Sequence, residues 1–482
     1  MNCFCKKPKD HASFNASDAD RRWDALALNK IAKKPGSSIQ RFGKNYLLRR
    51  FQNLAGGQLT VSDFNDVQSM GHDSNAKDLS VTIDVFDQAF YLRTLLGGTI
   101  GSAESYMEGQ WRCNDLTSLI RILVRNIDSI TSLDRTWSSV RKIGHWIWHK
   151  LRRNTVAGSR KNIQQHYDLG NEFYQLFLDP TMNYSSGIFS KNSETMLQSS
   201  LFKMNWICEK LQLNPNDHVL EIGTGWGGLA CFMAKHFGCK VTTTTISKAQ
   251  YEYAVAQVRR EGLGDKVTVL LQDYRKLDGQ FDKLVSIEMI EAVGHEFFDD
   301  YFHKCNSLLS NDGLMLLQGI TMSQQNYQRH LKNVDFIRRY IFPGGCLPSI
   351  VGIGQSIGNT GNMRIVHLED ITAHYERTLR EWRIRFFENM DRVRELGYSD
   401  PFIRMWHFYL CYCEAAFAER RVNTVQMVMA KPDSDIDPVN QYSSVGSTAF
   451  DFESLPDYEV LLNRNRSCSS STSPNQSVSI LQ

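Results

Sequence analysis

The sequence predicts an α/β fold of Rossmann-like type with helical insertions, preceded by a small mixed α+β accessory domain. Three observations carry that reading. From about His166 onward, apolar runs of strand length alternate with helical segments, as a parallel sheet with right-handed crossovers requires. One run, "HVLEIGTGWGGLACFMAKH", passes from a strand through a glycine turn straight into a helix. Ahead of it, from Arg41 to about Asn126, strand-like alternation in "LSVTIDVFDQAFYLRTLLGG" gives way to the apolar stripe of "LTSLIRILV".

Taken in order, residues 1–40 are polar, lack periodicity and read as a loose segment. Cys3 and Cys5 beside Lys6 and Lys7 read as ordinary thiols, with acylation as the alternative. The accessory domain occupies 41–130 and a helical linker 131–163. Within the linker, Trp137 to Arg153 carries five Lys or Arg, three Trp and no acid. Its apolar positions share one helical face, which suits either an anionic membrane surface or a helix packed between domains. The α/β domain occupies 164–432, with strands expected at His218–Ile222, Lys240–Ile246, Val267–Leu271, Lys283–Ile287 and Leu314–Ile320. An aromatic, glycine-rich insertion spans Thr321–Arg364, followed by helices near Ile371–Met390 and Pro401–Arg421 and a last strand, "TVQMVMA". Residues 433–482 form a serine-rich tail expected to be disordered.

Composition narrows the function. The 482 residues are 42% hydrophobic, enough for a large core. The net charge of +3 excludes a globally basic nucleic-acid binder. There is no apolar run of about 18 residues that would cross a membrane. No signal-peptide core is visible, so a cytoplasmic protein is expected. The eleven cysteines show no metal-ligand spacing, so no metal is expected.

In the glycine turn, Gly223, Gly225 and Gly227 let a ligand approach the backbone, and Glu221 stands near the strand end. The spacing is not that of the usual dinucleotide fingerprint, and the second strand ends without an acid for a ribose. Thr245, Ser247 and Gln250 offer neutral hydrogen-bonding groups there instead. The combination points to S-adenosylmethionine rather than NAD. After the third strand come Gln272 and Asp273. Asp273 is placed either to meet an adenine edge, with Tyr274 packing on the ring, or to be a solvated loop aspartate. The fourth strand runs into "LVSIEMIEAVG", where Glu288 and Glu291 lie among apolar residues. Buried carboxylates are costly unless paired or hydrogen-bonded, so these two are expected to hold something.

The stretches "QQHYDLGNEFYQLFLDPTMNYSSGIF", "VLEIGTGWGGLA", "LLQDYR", "SIEMIEAVG", "YIFPGGCLPS" and "HYERTLREW" follow one another from about Gln164 to Ala430. In these the chain resembles the cyclopropane-fatty-acyl-phospholipid synthase family of class I S-adenosylmethionine-dependent methyltransferases. The resemblance implies methyl transfer to the double bond of an unsaturated acyl chain in a membrane phospholipid, by a protein bound peripherally to the membrane surface. It also implies a bicarbonate ion as base, held by a Glu, a Tyr, a Cys, a His and the backbone near an Ile. On this sequence those positions are Glu291, Tyr375, Ser186 in place of the Cys, Gln318 in place of the His, and Ile320. Glu291 could instead be a structural cap on the turn that follows the strand. Glu288 falls where many members carry Gly and is expected only to support. Tyr184 and Ser185 would close over the cofactor. "FIRRYIFPGGCLPS" would line an acyl channel, with Arg338 and Arg339 meeting a headgroup or simply forming a solvated face. With Ser186 and Gln318 in the pocket, a methyl-branched or methylene product is an alternative to the ring. Small-amine N-methyltransferases resemble the same catalytic domain, and an inactive lipid-binding protein is a further alternative. A homodimer is compatible with the sequence, which does not fix the oligomeric state.

Overall fold

The computed structural model describes residues 36–64, 66–71, 79–131, 169–191, 194–436, 452, 455 and 457–469. The expectations for Cys3 and Cys5, for Trp137–Arg153, for His166–Asp168 and for the serine-rich run beyond 469 fall outside these residues. Within the tail expected to be disordered over 433–482, Tyr458–Ser469 is instead a helix, held because Leu455, Tyr458 and Leu461 are buried in a core cluster.

In the N-terminal unit the strands β1 (Gly57–Asp63), β2 (Asp66–Met70), β3 (Leu79–Val85) and β4 (Trp111–Cys113) form a sheet of order β2-β1-β3-β4. Alternate residues of β1 and β3 are buried, the pattern of a sheet packed on one face. Contacts divide the described residues into two units. The first contains the residues up to 131 together with Asn333–Ile341 and Leu379–Arg421. The last two segments were expected in the α/β domain. Side-chain chemistry explains why they group here. Glu414, on the helix Asp400–Ala418, accepts from Arg383 Nη2 at 3.0 Å and from Thr117 Oγ1 at 3.3 Å. Glu419 accepts from Arg121 Nε at 2.7 Å and Arg125 Nε at 3.0 Å, both on the helix Leu116–Arg125.

The second unit holds a seven-stranded sheet. Its strands are β5 (His218–Ile222), β6 (Lys240–Thr245), β7 (Val267–Leu271), β8 (Phe281–Ile287), β9 (Leu309–Met322), β10 (Arg364–Asp370) and β11 (Val422–Ala430). Their order is β10-β11-β9-β8-β5-β6-β7, with β5 to β9 parallel and β10 and β11 each antiparallel to its neighbours. The five expected strands match β5 to β9, with β9 longer than expected.

Both faces of the sheet are covered, which is why these strands read as nearly continuous apolar runs. Val219, Val285, Leu316 and Val428 enter one core cluster, while their neighbours Leu220, Leu284, Leu317 and Met427 enter another. The progression of strands reverses between β5 and β8, and ligands of open α/β sheets bind at the carboxyl ends of strands beside such a switch point. The insertion after β9 is helical for much of its length, with α-helices at Gln324–Lys332 and Ile350–Thr360. No helix among the described residues is long and apolar enough to cross a membrane.

Glu414 and Arg383 have side chains only 3% and 4% exposed. Breaking such a buried pair from one side leaves an uncompensated charge, at a cost of about 3–5 kcal/mol. Glu414→Ala is therefore expected to lower unfolding stability by about that amount in denaturant titration. A loss within experimental error would contradict this account of the N-terminal unit.

Candidate active site

The cofactor end of the site is built at the carboxyl ends of β5, β6 and β7. Gly223, Gly225 and Gly227 all have positive φ, the left-handed region that a side chain would strain. A Cβ at Gly225 would meet nothing within 4 Å, so the turn opens onto space that a ligand can fill. On the other side of the turn, a Cβ at Gly228 would lie 2.3 Å from the Thr181 carbonyl oxygen, which ties the turn to the segment carrying Tyr184. Trp226 packs on Tyr174, and Tyr174 packs on Tyr184 with ring centroids 5.4 Å apart. Glu221 is buried, accepts from Thr243 Oγ1, and is pushed up to about 8 by desolvation that this bond only partly offsets. At the end of β6, Thr245 Oγ1 donates to Gln250 Oε1 at 2.9 Å, leaving the Gln250 Nε2 as a donor. Ser247 caps the following helix by accepting from Gln250 N–H. After β7, Gln272 Nε2 donates to the Lys276 carbonyl. Burial works against the charge of Asp273, but hydrogen bonds from Arg275 hold its carboxyl below the usual range.

The carboxyl end of β8 holds the two glutamates. Glu288 has φ +50, an unusual conformation for a residue with a side chain, which costs about 1–3 kcal/mol. Its Oε1 accepts from Ser186 N–H at 3.0 Å and from Gln318 Nε2 at 2.8 Å. Its Oε2 accepts from Tyr375 Oη at 2.6 Å. Glu291 turns the other way. Its Oε1 accepts from Ile320 N–H at 2.5 Å, and its Oε2 has no hydrogen-bond partner among the described residues. Both residues keep some accessible surface and yet are strongly desolvated, which places that surface in an enclosed space. Burial, with the charge of Glu288 added, pushes the Glu291 carboxyl up to about 8. Desolvation also raises Glu288, against the hydrogen bonds from Tyr375 and Ser186. The three donors around Glu288 favour its ionised form, while Glu291, with one donor and the charge of Glu288 beside it, favours its neutral form. Among the described residues, no group of His, Cys, Asp and Glu could hold a metal ion.

A family model for mycolic acid cyclopropane synthetase matches residues 155–427. The chain belongs to that family. The tuberculostearic acid methyltransferase of Mycobacterium tuberculosis is 33% identical over 425 residues, covering 86% of this chain and 96% of that protein. The cyclopropane-fatty-acyl-phospholipid synthase of Escherichia coli strain K12 is 37% identical over 361 residues, covering 72% of this chain and 87% of that one. A solved mycolic acid cyclopropane synthase, complexed with SAH and CTAB, superposes with a TM-score of 0.53 at 30% identity, over 56% of this chain and 98% of that one. Membership makes the protein an S-adenosylmethionine-dependent methyltransferase, and the open glycine turn beside Gln250 fits that cofactor.

Within this family member, the residues expected to hold bicarbonate lie together, but their hydrogen-bond donors are turned to the two glutamates. Tyr375 was expected to hold the anion together with Glu291, and it donates to Glu288 instead. Ile320 N–H was expected to reach the anion, and Glu291 takes it. The Ser186 hydroxyl donates to the Gly187 carbonyl, so this residue offers Glu288 its N–H rather than its side chain. Gln318 donates to Glu288 and accepts from Gln426. Bicarbonate does not fit this donor set, because Glu288 already occupies the donors. Ser185 accepts from the buried Lys203 at 2.6 Å; burial pulls that ammonium down to about 8 against the charges of Glu288 and Asp179. Sequence reasoning did not single out Lys203, Lys210 or Gln426, polar residues close to apolar neighbours, and it expected Glu288 only to support. Arg338 is buried, donates to the Asn333 carbonyl, and belongs to the first unit, as does Arg339, which pairs with Glu104.

A carboxyl whose folded pKa is raised contributes stability that is full below its ordinary value of 4.5 and lost as pH rises through about 8. Glu291→Gln removes that dependence. The stability of wild type minus that of the variant is expected to fall across this window and level off above it, read by denaturant titration at a series of pH values. A difference that does not change with pH would contradict a raised Glu291.

Proposed function

We propose that the protein transfers the methyl group of S-adenosylmethionine to the double bond of unsaturated acyl chains in membrane phospholipids, forming a cyclopropane chain and S-adenosylhomocysteine. The observation that carries this reading is the enclosed carboxylate pair at the end of β8, next to the glycine turn. A Cβ at Gly223 would lie 3.3 Å from Met289 Cγ, so the cofactor turn and the glutamates share one edge of the sheet. Bound cofactor supplies an electrophilic methyl. An olefin is a weak nucleophile, so the protein's part is to align it in a dry space and to stabilise the positive charge that develops beside the new bond. An ionised Glu288 meets the second requirement. The loop from Phe342 to Ser349 reaches Glu291 directly, with Cys346 N–H donating to the Glu291 carbonyl at 2.7 Å. After it come Ile350 and Val351, 41% and 47% exposed, an apolar start to the helix that suits contact with lipid. The E. coli relative's name supports phospholipid as substrate. The reaction would take place at the membrane surface, on the cytoplasmic side.

A second reading has one specific observation behind it. The Gln318 amide, held between Gln426 and Glu288, does not titrate and cannot relay a proton as an imidazole would. A hydride shift onto the cationic carbon, followed by proton loss from the new methyl, would give a methylene chain, and proton loss from a neighbouring chain carbon would give a methyl-branched olefin. The name of the Mycobacterium tuberculosis relative agrees with a methylated acid.

The test is incubation of purified protein with unsaturated phospholipid vesicles and cofactor, followed by mass spectrometry and proton NMR of the recovered acids. A gain of one CH2 with upfield ring protons is the expected result. Olefinic methylene or branched-methyl signals would move the reading to the second product. Unchanged lipid, with a small amine methylated in its place, would overturn both.

A further inference from the structure

The surroundings of Glu288 are those of an anion site rather than of a packing residue. Ser186 N–H and Gln318 Nε2 serve its Oε1, and Tyr375 Oη serves its Oε2. A carboxylate has about four lone-pair directions, so one stays open, on Oε2. The donors are themselves held. Gln426 Nε2 donates to Gln318 Oε1 at 2.9 Å, and Lys210 Nζ donates to Gln426 Oε1 at 2.8 Å. Flipping the Gln318 amide would set oxygen against Glu288 and nitrogen against nitrogen at Gln426, so its donor is fixed toward the carboxylate. The main chain is held as well, since Glu288 N–H donates to the Gln318 carbonyl at 2.8 Å. Glycine would take the φ of +50 without strain. What a glutamate adds at this strained position is its charge, placed one residue from the Met289 contact with the cofactor turn.

We infer that Glu288 is the catalytic base of methyl transfer, a carboxylate fixed by the chain where a dissolved anion would otherwise be needed. The inference rests on the olefin reading above. The olefin π pair forms the bond to the transferred methyl carbon as the carbon–sulfur bond breaks and S-adenosylhomocysteine leaves. The adjoining olefin carbon is left electron-deficient, facing the carboxylate. A C–H bond of the new methyl then breaks, its electron pair closes the three-membered ring, and its proton passes to the open lone pair of Glu288 Oε2. No oxidant or further reactant is consumed. Deprotonated Glu288 is regenerated by release of that proton to water when product leaves.

The experiment uses the full chain, methyl-labelled cofactor and unsaturated phospholipid vesicles, in CO2-free buffer and in buffer with added bicarbonate. Wild type is expected to label lipid at the same rate in both, within about twofold, whereas loss of a general base costs about 100-fold or more in Glu288→Gln. Cofactor affinity measured by calorimetry should stay within about threefold of wild type in that variant, because the base contributes to the transition state rather than to binding. Glu288→Gly, which keeps the backbone conformation and vacates the donors, should be as slow in CO2-free buffer and regain at least about tenfold with bicarbonate or formate, since a small anion can then bind where the carboxylate stood. A wild type that needs bicarbonate, a Glu288→Gln that keeps its rate, or a Glu288→Gly that binds cofactor but is not rescued would each overturn the inference while leaving the olefin reading in place. Lipid that is never labelled, in either buffer, would remove that reading and the inference with it.

Discussion

An ionised carboxylate taken out of water has to be met by donors, and in this protein that requirement organises the site. Glu288 draws one donor from the Tyr184–Gly187 segment, one from β9 and one from the helix Thr372–Glu388. None of these segments can move away without leaving charge unpaired in a low dielectric, where such a loss is most costly. The same helix holds the segment at two further points. Thr378 Oγ1 accepts from Gly187 N–H, and His374 Nδ1 accepts from Phe189 N–H. Tyr184, in the same segment, packs on Tyr174, which packs on Trp226 of the glycine turn.

The two carboxylates divide between the two protonation states because their surroundings differ. Glu288 receives three hydrogen bonds, which favour its charged form, whereas Glu291 has one oxygen on the Ile320 amide and the other without a partner among the described residues. Two charges so close in an enclosed space would repel, so a neutral Glu291 is the partner that a charged Glu288 requires. Lys203 and Lys210 fit the same pattern. Burial weakens each ammonium; Lys203 donates to Ser185, next in the chain to Ser186, and its charge acts on Glu288, while Lys210 reaches Glu288 through Gln426 and Gln318.

Much of the fold was legible because it depends on local periodicity. The β5 strand and its glycine turn stand where the pattern of "VLEIGTGWGG" puts them, since two-sided burial writes a continuous apolar run and a positive-φ turn demands glycine. The helix Asp400–Ala418 was legible as a helix but not as part of the N-terminal unit. An apolar face says that something covers it, while the Glu414 and Glu419 ion pairs that decide what covers it lie far apart in sequence. The carboxylate pair was legible only as a pair. Which glutamate meets Tyr375 depends on the backbone turning left-handed at Glu288, and a residue other than glycine carries no sequence mark for that turn. Ser186 misled for a related reason, because its contribution comes from the main chain.

The claim at the centre of this account is that a side-chain carboxylate fills the anion position of the methyl-transfer pocket. A high-resolution crystal structure of the protein with S-adenosylhomocysteine, grown in the presence of bicarbonate, tests it most directly. The account predicts Glu288 within hydrogen-bond distance of Tyr375 Oη, Ser186 N and Gln318 Nε2, with no separate anion among them. Density for a planar three-oxygen ion on those donors, with Glu288 turned away, would contradict it.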